Sequence, residues 1–259
     1  MPLLIWIILF CVLGGALSVL AAAVFLALGS ERRARLLPGA VSFAVGALLG
    51  AAFLALLPHA LESPGMDGHR LAAVMLAGLL GFFVLEKLVL WRHCHVDECE
   101  THAPDPGRGR LSAAGHLILI GDGIHNFVDG VLIAAAFLTD VHLGVVTSLA
   151  VAAHEIPQEV GDFAVLLHSG FSRGKALAYN ILSSLGTVAG GVLAYFSLGL
   201  AQDLVPYVLA VAAASFIYIA TADLIPGLHS RVEGRAAVQQ VALILTGVAL
   251  IFIAHAALH

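Results

Sequence analysis

The chain has 259 residues, of which 60% are hydrophobic and 11% charged, with a formal net charge of −5. Ordinary soluble domains carry roughly a quarter charged residues, so a soluble globular enzyme and a disordered chain are excluded, and without a basic excess so is a nucleic-acid binder. Three cysteines, Cys11, Cys94 and Cys99, are too few and too unevenly placed for a disulfide framework, which leaves an all-α membrane protein that crosses the bilayer repeatedly.

A helix needs about 20 mostly apolar residues to cross a bilayer. Eight stretches qualify: 3–29, 39–61, 70–91, 112–138, 143–168, 174–200, 204–228 and 235–257. The first has no basic segment ahead of it, is longer than the core of a signal peptide and runs directly into Glu31-Arg32-Arg33, so a true span is expected. In the second, Gly46 and Gly50 are spaced for close helix packing, and its far end reads Leu56-Leu57-Pro58-His59. His59 there is either a satisfied helix-end group or part of an entrance. Glu86 and Lys87 close the third span and can pair or reach the interface. The segment 92–111 that follows is the only sizeable hydrophilic one. It gathers His93, Cys94, His95, Cys99 and His102 within ten residues, which suits a solvated loop or a transient acceptor of metal.

The fourth span carries Asp122, His125, Asn126 and Asp129 at i, i+3, i+4 and i+7, one stripe of a helix. In the fifth, His154, Gln158 and Asp162 form a line with Glu155 and Glu159 beside it, and Pro157 is expected to bend the helix. His125 and Ile156 lie near the midpoints of their spans, a depth at which an ionisable group opposes insertion by about 3 kcal/mol. A short turn at Thr139-Asp140 makes these spans antiparallel neighbours. The sixth offers Asn180, Ser183, Ser184 and Thr187 with the packing pair Gly186 and Gly190. The seventh holds Asp223 and the string Leu224-Ile225-Pro226-Gly227. That string is similar to the one ending the second span and suits an inverted repeat of spans 1–3 and 6–8 about a central pair, a 3+2+3 arrangement.

With eight spans, 11 of the 12 Lys and Arg residues fall on one side and only Arg70 on the other. By the positive-inside rule that side is cytoplasmic, so both termini are expected outside and the 92–111 loop inside. Two imidazoles, several carboxylates and two amides at one depth suit Zn²⁺, Fe²⁺ or Mn²⁺; Cu⁺ is a poor fit, because neither stripe holds Cys or Met. Interhelical hydrogen bonding and a proton relay are the plainer alternatives, yet such bonding does not need two His and four acids at midplane. His154-Glu155 begins like the H-E-x-x-H of a metalloprotease, but Gln158 stands where the second His belongs. No enzyme is expected. A metal sensor without transport is the alternative from another class.

At these residues the chain resembles the ZIP (Zrt/Irt-like) family of divalent metal transporters, in the branch with H-N-F-x-D-G on helix 4 and H-E-x-P-H-E-x-G-D on helix 5. The strings here are His125-Asn126-Phe127-Val128-Asp129-Gly130 and His154-Glu155-Ile156-Pro157-Gln158-Glu159-Val160-Gly161-Asp162, with Gln158 in place of the branch's second helix-5 His. The resemblance spans the whole chain. It implies one transmembrane transporter domain over 1–259 that imports divalent metal, zinc first, with iron, manganese or cadmium as alternatives. Carried over by position, one site uses His125, Asp129, His154 and Gln158, and an adjacent one uses Asn126, Glu155 and a shared Gln158; Glu159 completes the candidate ligands. The metal is then cargo, and no prosthetic group is expected. The resemblance further implies a homodimer whose helix 4/5 block moves against a scaffold that includes spans 2 and 7; the setting is the lipid bilayer of a cell (inner) membrane.

Overall fold

The computed structural model describes residues 2–97, 106–229 and 234–258, which are helical apart from short turns. There are eight rods: α1 (Pro2–Ala27), α2 (30–62), α3 (Gly68–Asp97), α4 (Pro106–Thr139), α5 (Val141–His168), α6 (Arg173–Leu200), α7 (Gln202–Leu228) and α8 (Gly234–Leu258). Within the described residues, seven are long and apolar enough to cross a membrane. The exception is α5, and its polar row is the reason: His154, Glu155, Gln158, Glu159 and Asp162 dilute the hydropathy of its 28 residues.

The turns follow local chemistry. Asp140 caps α5, its Oδ1 accepting from the backbone N–H of His142 (2.8 Å) and Leu143 (3.2 Å), so the α4–α5 connection is a single turn. Gly170 adopts φ of 86° between α5 and α6, where the N–H groups of Gly170 and Phe171 return to the carbonyls of Leu167 and Leu166. Helical backbone continues through Asp97 and resumes at Pro106, so 92–97 and 106–111 of the expected loop are helical. Adding residues to a formed helix costs little compared with starting one. Residues 98–105, with Cys99 and His102, lie outside the described residues.

Two rods change their winding. In α2 a π segment, Ala52–Leu56, precedes Pro58; in α7 another, Ile219–Leu224, precedes Pro226. The N–H of Leu57 reaches back to the carbonyl of Ala52, and that of Ile225 to Ala220, five residues in each case. A proline ring crowds the carbonyl four residues earlier and removes a donor, and the wider winding relieves both. The two related strings thus share a backbone feature as well as residues. In α5 the helix runs on through Pro157.

α4 packs most extensively on α6, α8 lies along α2, α3 rests mainly on α7, and α5 sits among α1, α2 and α4. Glycines set the closest approach. A Cβ at Gly130 would stand 1.9 Å from the carbonyl oxygen of Thr187, and one at Gly190 would stand 2.0 Å from that of Phe127, so the backbones of α4 and α6 touch as small residues allow. Around the centre, Leu56, Leu132, Ile133, Phe137, Leu143, Leu209 and Phe216 are buried, whereas Leu76, Leu80, Leu245 and Ile253 face outward.

Candidate metal centre

The stripe on α4 and the line on α5 meet. Nε2 of His125 lies 3.2 Å from Nε2 of His154, 3.4 Å from Oε1 of Glu155 and 3.7 Å from Oδ2 of Asp129. Nε2 of His154 lies 3.1 Å from Oδ2 of Asp129 and 3.8 Å from Oε1 of Glu155. A zinc ion bound by four ligands at 2.0–2.1 Å has ligand–ligand edges of about 3.3 Å in a tetrahedron. These separations bracket that value.

Proton positions make the match chemical as well as geometric. Nδ1 of His154 is 3.1 Å from the carbonyl oxygen of Ala150, four residues back on the same helix. A carbonyl only accepts, so Nδ1 carries the proton and the neutral ring presents a lone pair at Nε2. That lone pair faces the carboxylate of Asp129. Both carboxylate oxygens of Asp129 and of Glu155 are buried without a hydrogen-bond donor. Electron pairs converging in a buried space are costly unless a cation stands among them. His154, Asp129 and Glu155 are almost fully buried, and His125 keeps 23% side-chain exposure, so the ring of His125 is the open edge of the cage.

That edge opens into a cavity of about 440 Å³, lined by His125, His154, Gln158 and Asp162, by Ser215 and Asp223 of α7, and by apolar residues of α2 and α3 such as Leu37 and Phe82. Leu37 lies near the start of α2 and Asp223 near the end of α7, so the cavity extends toward one end of the bundle. On the other side of the cage the packing is closed by Leu132, Ile133, Phe137 and Val146, and the ring of Phe216 stands 6.1 Å from that of His154.

A second buried group of oxygens, Asp122, Glu155 and Glu159, adjoins the cage and shares Glu155 with it. Ser183 of α6 donates to Oδ2 of Asp122. The Asn126 amide is fully engaged: its Nδ2 donates to the carbonyl (3.1 Å) and Oδ1 (2.9 Å) of Asp122, and its Oδ1 accepts from Thr187 (2.8 Å). Of the expected ligands, the structure therefore brings His125, Asp129, His154 and Glu155 together. Gln158 lines the cavity beside the two imidazoles, Glu159 belongs to the adjoining oxygen group, and Asn126 braces α4 against α6. Thr187 and Ser183 as the braces, and Phe216 as the wall behind His154, are not assigned those roles from sequence. The available signal was the one-turn spacing of Ser183 and Thr187 on a glycine-bearing helix.

Comparison with known proteins adds an independent finding. The family described as ZIP zinc transporter matches residues 92–255. Zinc transporter ZIP13 of Pongo abelii is 34% identical over 234 residues, covering 85% of this chain and 67% of that protein. ZIP13 of Homo sapiens is 32% identical over 267 residues, covering 85% and 71%. Zinc transporter SLC39A7 of Rattus norvegicus is 30% identical over 335 residues, covering 93% and 71%.

Proposed function

The chain belongs to the ZIP zinc transporter family, and from that footing we propose that it carries divalent metal, zinc above others, through the cage formed by His125, Asp129, His154 and Glu155. The observation that supports this reading is the convergence of the His154 lone pair, the His125 ring and two unpartnered carboxylates at near-tetrahedral spacing. Two imidazoles with two carboxylates suit a borderline cation, and the carboxylates offset its charge where the bilayer cannot.

The cage and cavity suggest a sequence of events. The ion exchanges water for the two imidazoles and two carboxylates, and the carbonyl of Ala150 holds His154 in the tautomer that can bind it. His125, at the open edge, is the ligand past which the ion leaves. Gln158, Asp162 and Asp223 along the cavity offer oxygen atoms that replace the ligands without holding the ion tightly. Closed packing on the far side and an open cavity on this one are the features of a carrier facing one compartment. Among the described residues, Arg32, Arg35, Lys87, Arg173, Lys175 and Arg235 stand on the helix ends at the cavity side and Arg70 on the opposite one, so that compartment is the cytoplasm and both termini are outside, in a cell membrane. The direction is import, and the block of α4 and α5 is the moving part. The exposed apolar faces of α3 and α8 are available to lipid and to a second copy of the chain. The 3+2+3 inverted repeat is supported by the paired π segments.

The test is zinc uptake into proteoliposomes. Wild type takes up zinc; His125→Ala and Glu155→Ala, inserted and monodisperse, lose at least about 100-fold of the rate, since even a second-shell partner is worth 10–100-fold in metal affinity. Wild-type binding without flux would replace this reading with a membrane metal sensor. Competition by cadmium and iron in the same assay ranks the cargo.

A further inference from the structure

A second pair of imidazoles meets at the opposite end of the bundle. His59 stands in the last turns of α2 and His255 in the last turns of α8, with ring centroids 5.5 Å apart and planes crossed at 73°. The central pair, His125 and His154, has centroids 5.4 Å apart and planes crossed at 84°. Crossed rings at this distance are also ordinary aromatic packing, so the arrangement alone does not distinguish a pair of ligands from a pair of neighbours. The hydrogen bonding adds a second observation, the tautomer of His59. Nδ1 of His59 lies 2.9 Å from the carbonyl oxygen of Ala55, as Nδ1 of His154 lies 3.1 Å from that of Ala150. In both cases the acceptor is four residues back on the same helix. The carbonyl fixes the proton on Nδ1, and the neutral ring of His59 keeps its lone pair on Nε2, the tautomer that binds metal.

The location gives the pair a use. α2 begins near the cavity end, and α8 begins there too, where Gln240 donates to the carbonyl of Leu228 at the end of α7. His59 and His255 therefore lie at the far end, beyond the closed packing that separates the cage from that side. Both are half-buried rather than sealed, and Glu62, one turn beyond His59 on the same face of α2, is exposed. The helices that carry the pair lie along one another, and Gly46 and Gly247 allow it: a Cβ on either would stand 2.0 Å from the carbonyl oxygen of Ile244 and 2.4 Å from that of Phe43, respectively. That close approach keeps the two helices, and the ends that carry the rings, side by side.

We propose that His59 and His255 form a second metal site, a two-imidazole site completed by water, that captures a borderline divalent cation such as Zn²⁺ at the end of the bundle opposite the cavity. Imidazole prefers zinc, cobalt and nickel over magnesium and calcium, and two protein ligands hold the ion more loosely than four. The role as a capture point on the way to the centre rests on the proposed transport; the binding itself does not.

Cobalt(II) chloride is the probe, added to the full-length protein in detergent and read by its ligand-field absorption. Wild type binds about two equivalents and His154→Ala about one weaker equivalent, which vanishes when His59→Asn and His255→Asn are added. The pair His59→Asn and His255→Asn alone keeps the tighter, central equivalent. A His59→Cys, His255→Cys protein with His154→Ala recovers binding and gains a thiolate-to-cobalt absorption, which separates loss of ligands from loss of fold. In liposomes, His59→Asn lowers uptake more at low zinc than at saturating zinc. Residual cobalt binding that persists unchanged after both histidines are replaced would overturn the site. If His154→Ala binds as wild type does and the outer replacements abolish binding, the outer site stands and the central reading falls.

Discussion

The centre of the molecule and its flank solve opposite problems with the same secondary structure. In α3 no residue between Gly68 and Leu85 is buried, and its leucines face outward where lipid is as good a solvent as protein. In α4 the stretch Leu132–Phe137 is buried throughout, and of the four polar side chains in the turns before it, Asp122, His125 and Asn126 have hydrogen-bond partners while both carboxylate oxygens of Asp129 have none. The flank is stabilised by the bilayer and tolerates change. The centre depends on backbone contact and on each polar atom's partner, so it tolerates very little.

This contrast predicts a graded series of effects. The largest is steric: Gly190→Ala places a methyl group 2.0 Å from the carbonyl oxygen of Phe127 and is expected to abolish monodisperse protein in size-exclusion chromatography. Gly81→Ala in α3 meets nothing within 4 Å and is expected to be silent; equal behaviour of the two would break the comparison. Next, His154→Ala removes a proposed ligand together with the carbonyl-held tautomer, and zinc affinity by calorimetry should fall at least about 100-fold. Thr187→Ala then strands the buried Oδ1 of Asn126, at a cost of about 1–3 kcal/mol, read as a lower thermal midpoint that Thr187→Ser restores. Zinc affinity should also fall as pH is lowered, because every proposed ligand of the cage would bind metal in its deprotonated form; an affinity flat between pH 8 and pH 5 would contradict a His/carboxylate site. The smallest effect belongs to the flank: Leu80→Ala should shift stability by no more than about 0.5 kcal/mol.

Eight helices were legible, seven of them because runs of about 20 apolar residues have few other uses, and the pairing of α4 with α5 because Thr139-Asp140 leaves no room for anything but a turn. His125, Asp129, His154 and Glu155 were legible as a group because ionisable side chains at that depth need a common reason. Their division of labour was not. Asn126 shares the stripe of His125 and Asp129, yet its amide is claimed by Asp122 and Thr187, a consequence of α6 arriving at contact distance, which no periodicity within α4 encodes. Gln158 and Glu159 are adjacent in sequence but face the cavity and the oxygen group respectively, because a helix turns about 100° between them. The π segments depend on how a helix accommodates Pro58 or Pro226, and Pro157 in α5 produces none, so the residue alone does not decide. The ends of α3 and α4 outrun the apolar stretches because helix continues at little cost once formed.

The most direct test of the central claim is X-ray absorption at the zinc edge on protein loaded with one equivalent of zinc. The cage predicts four light ligands at about 2.0–2.1 Å with the multiple-scattering signature of two imidazoles, reduced to one imidazole in His125→Ala. A shell of oxygen alone, or a spectrum unchanged by His125→Ala, would show that the metal binds elsewhere.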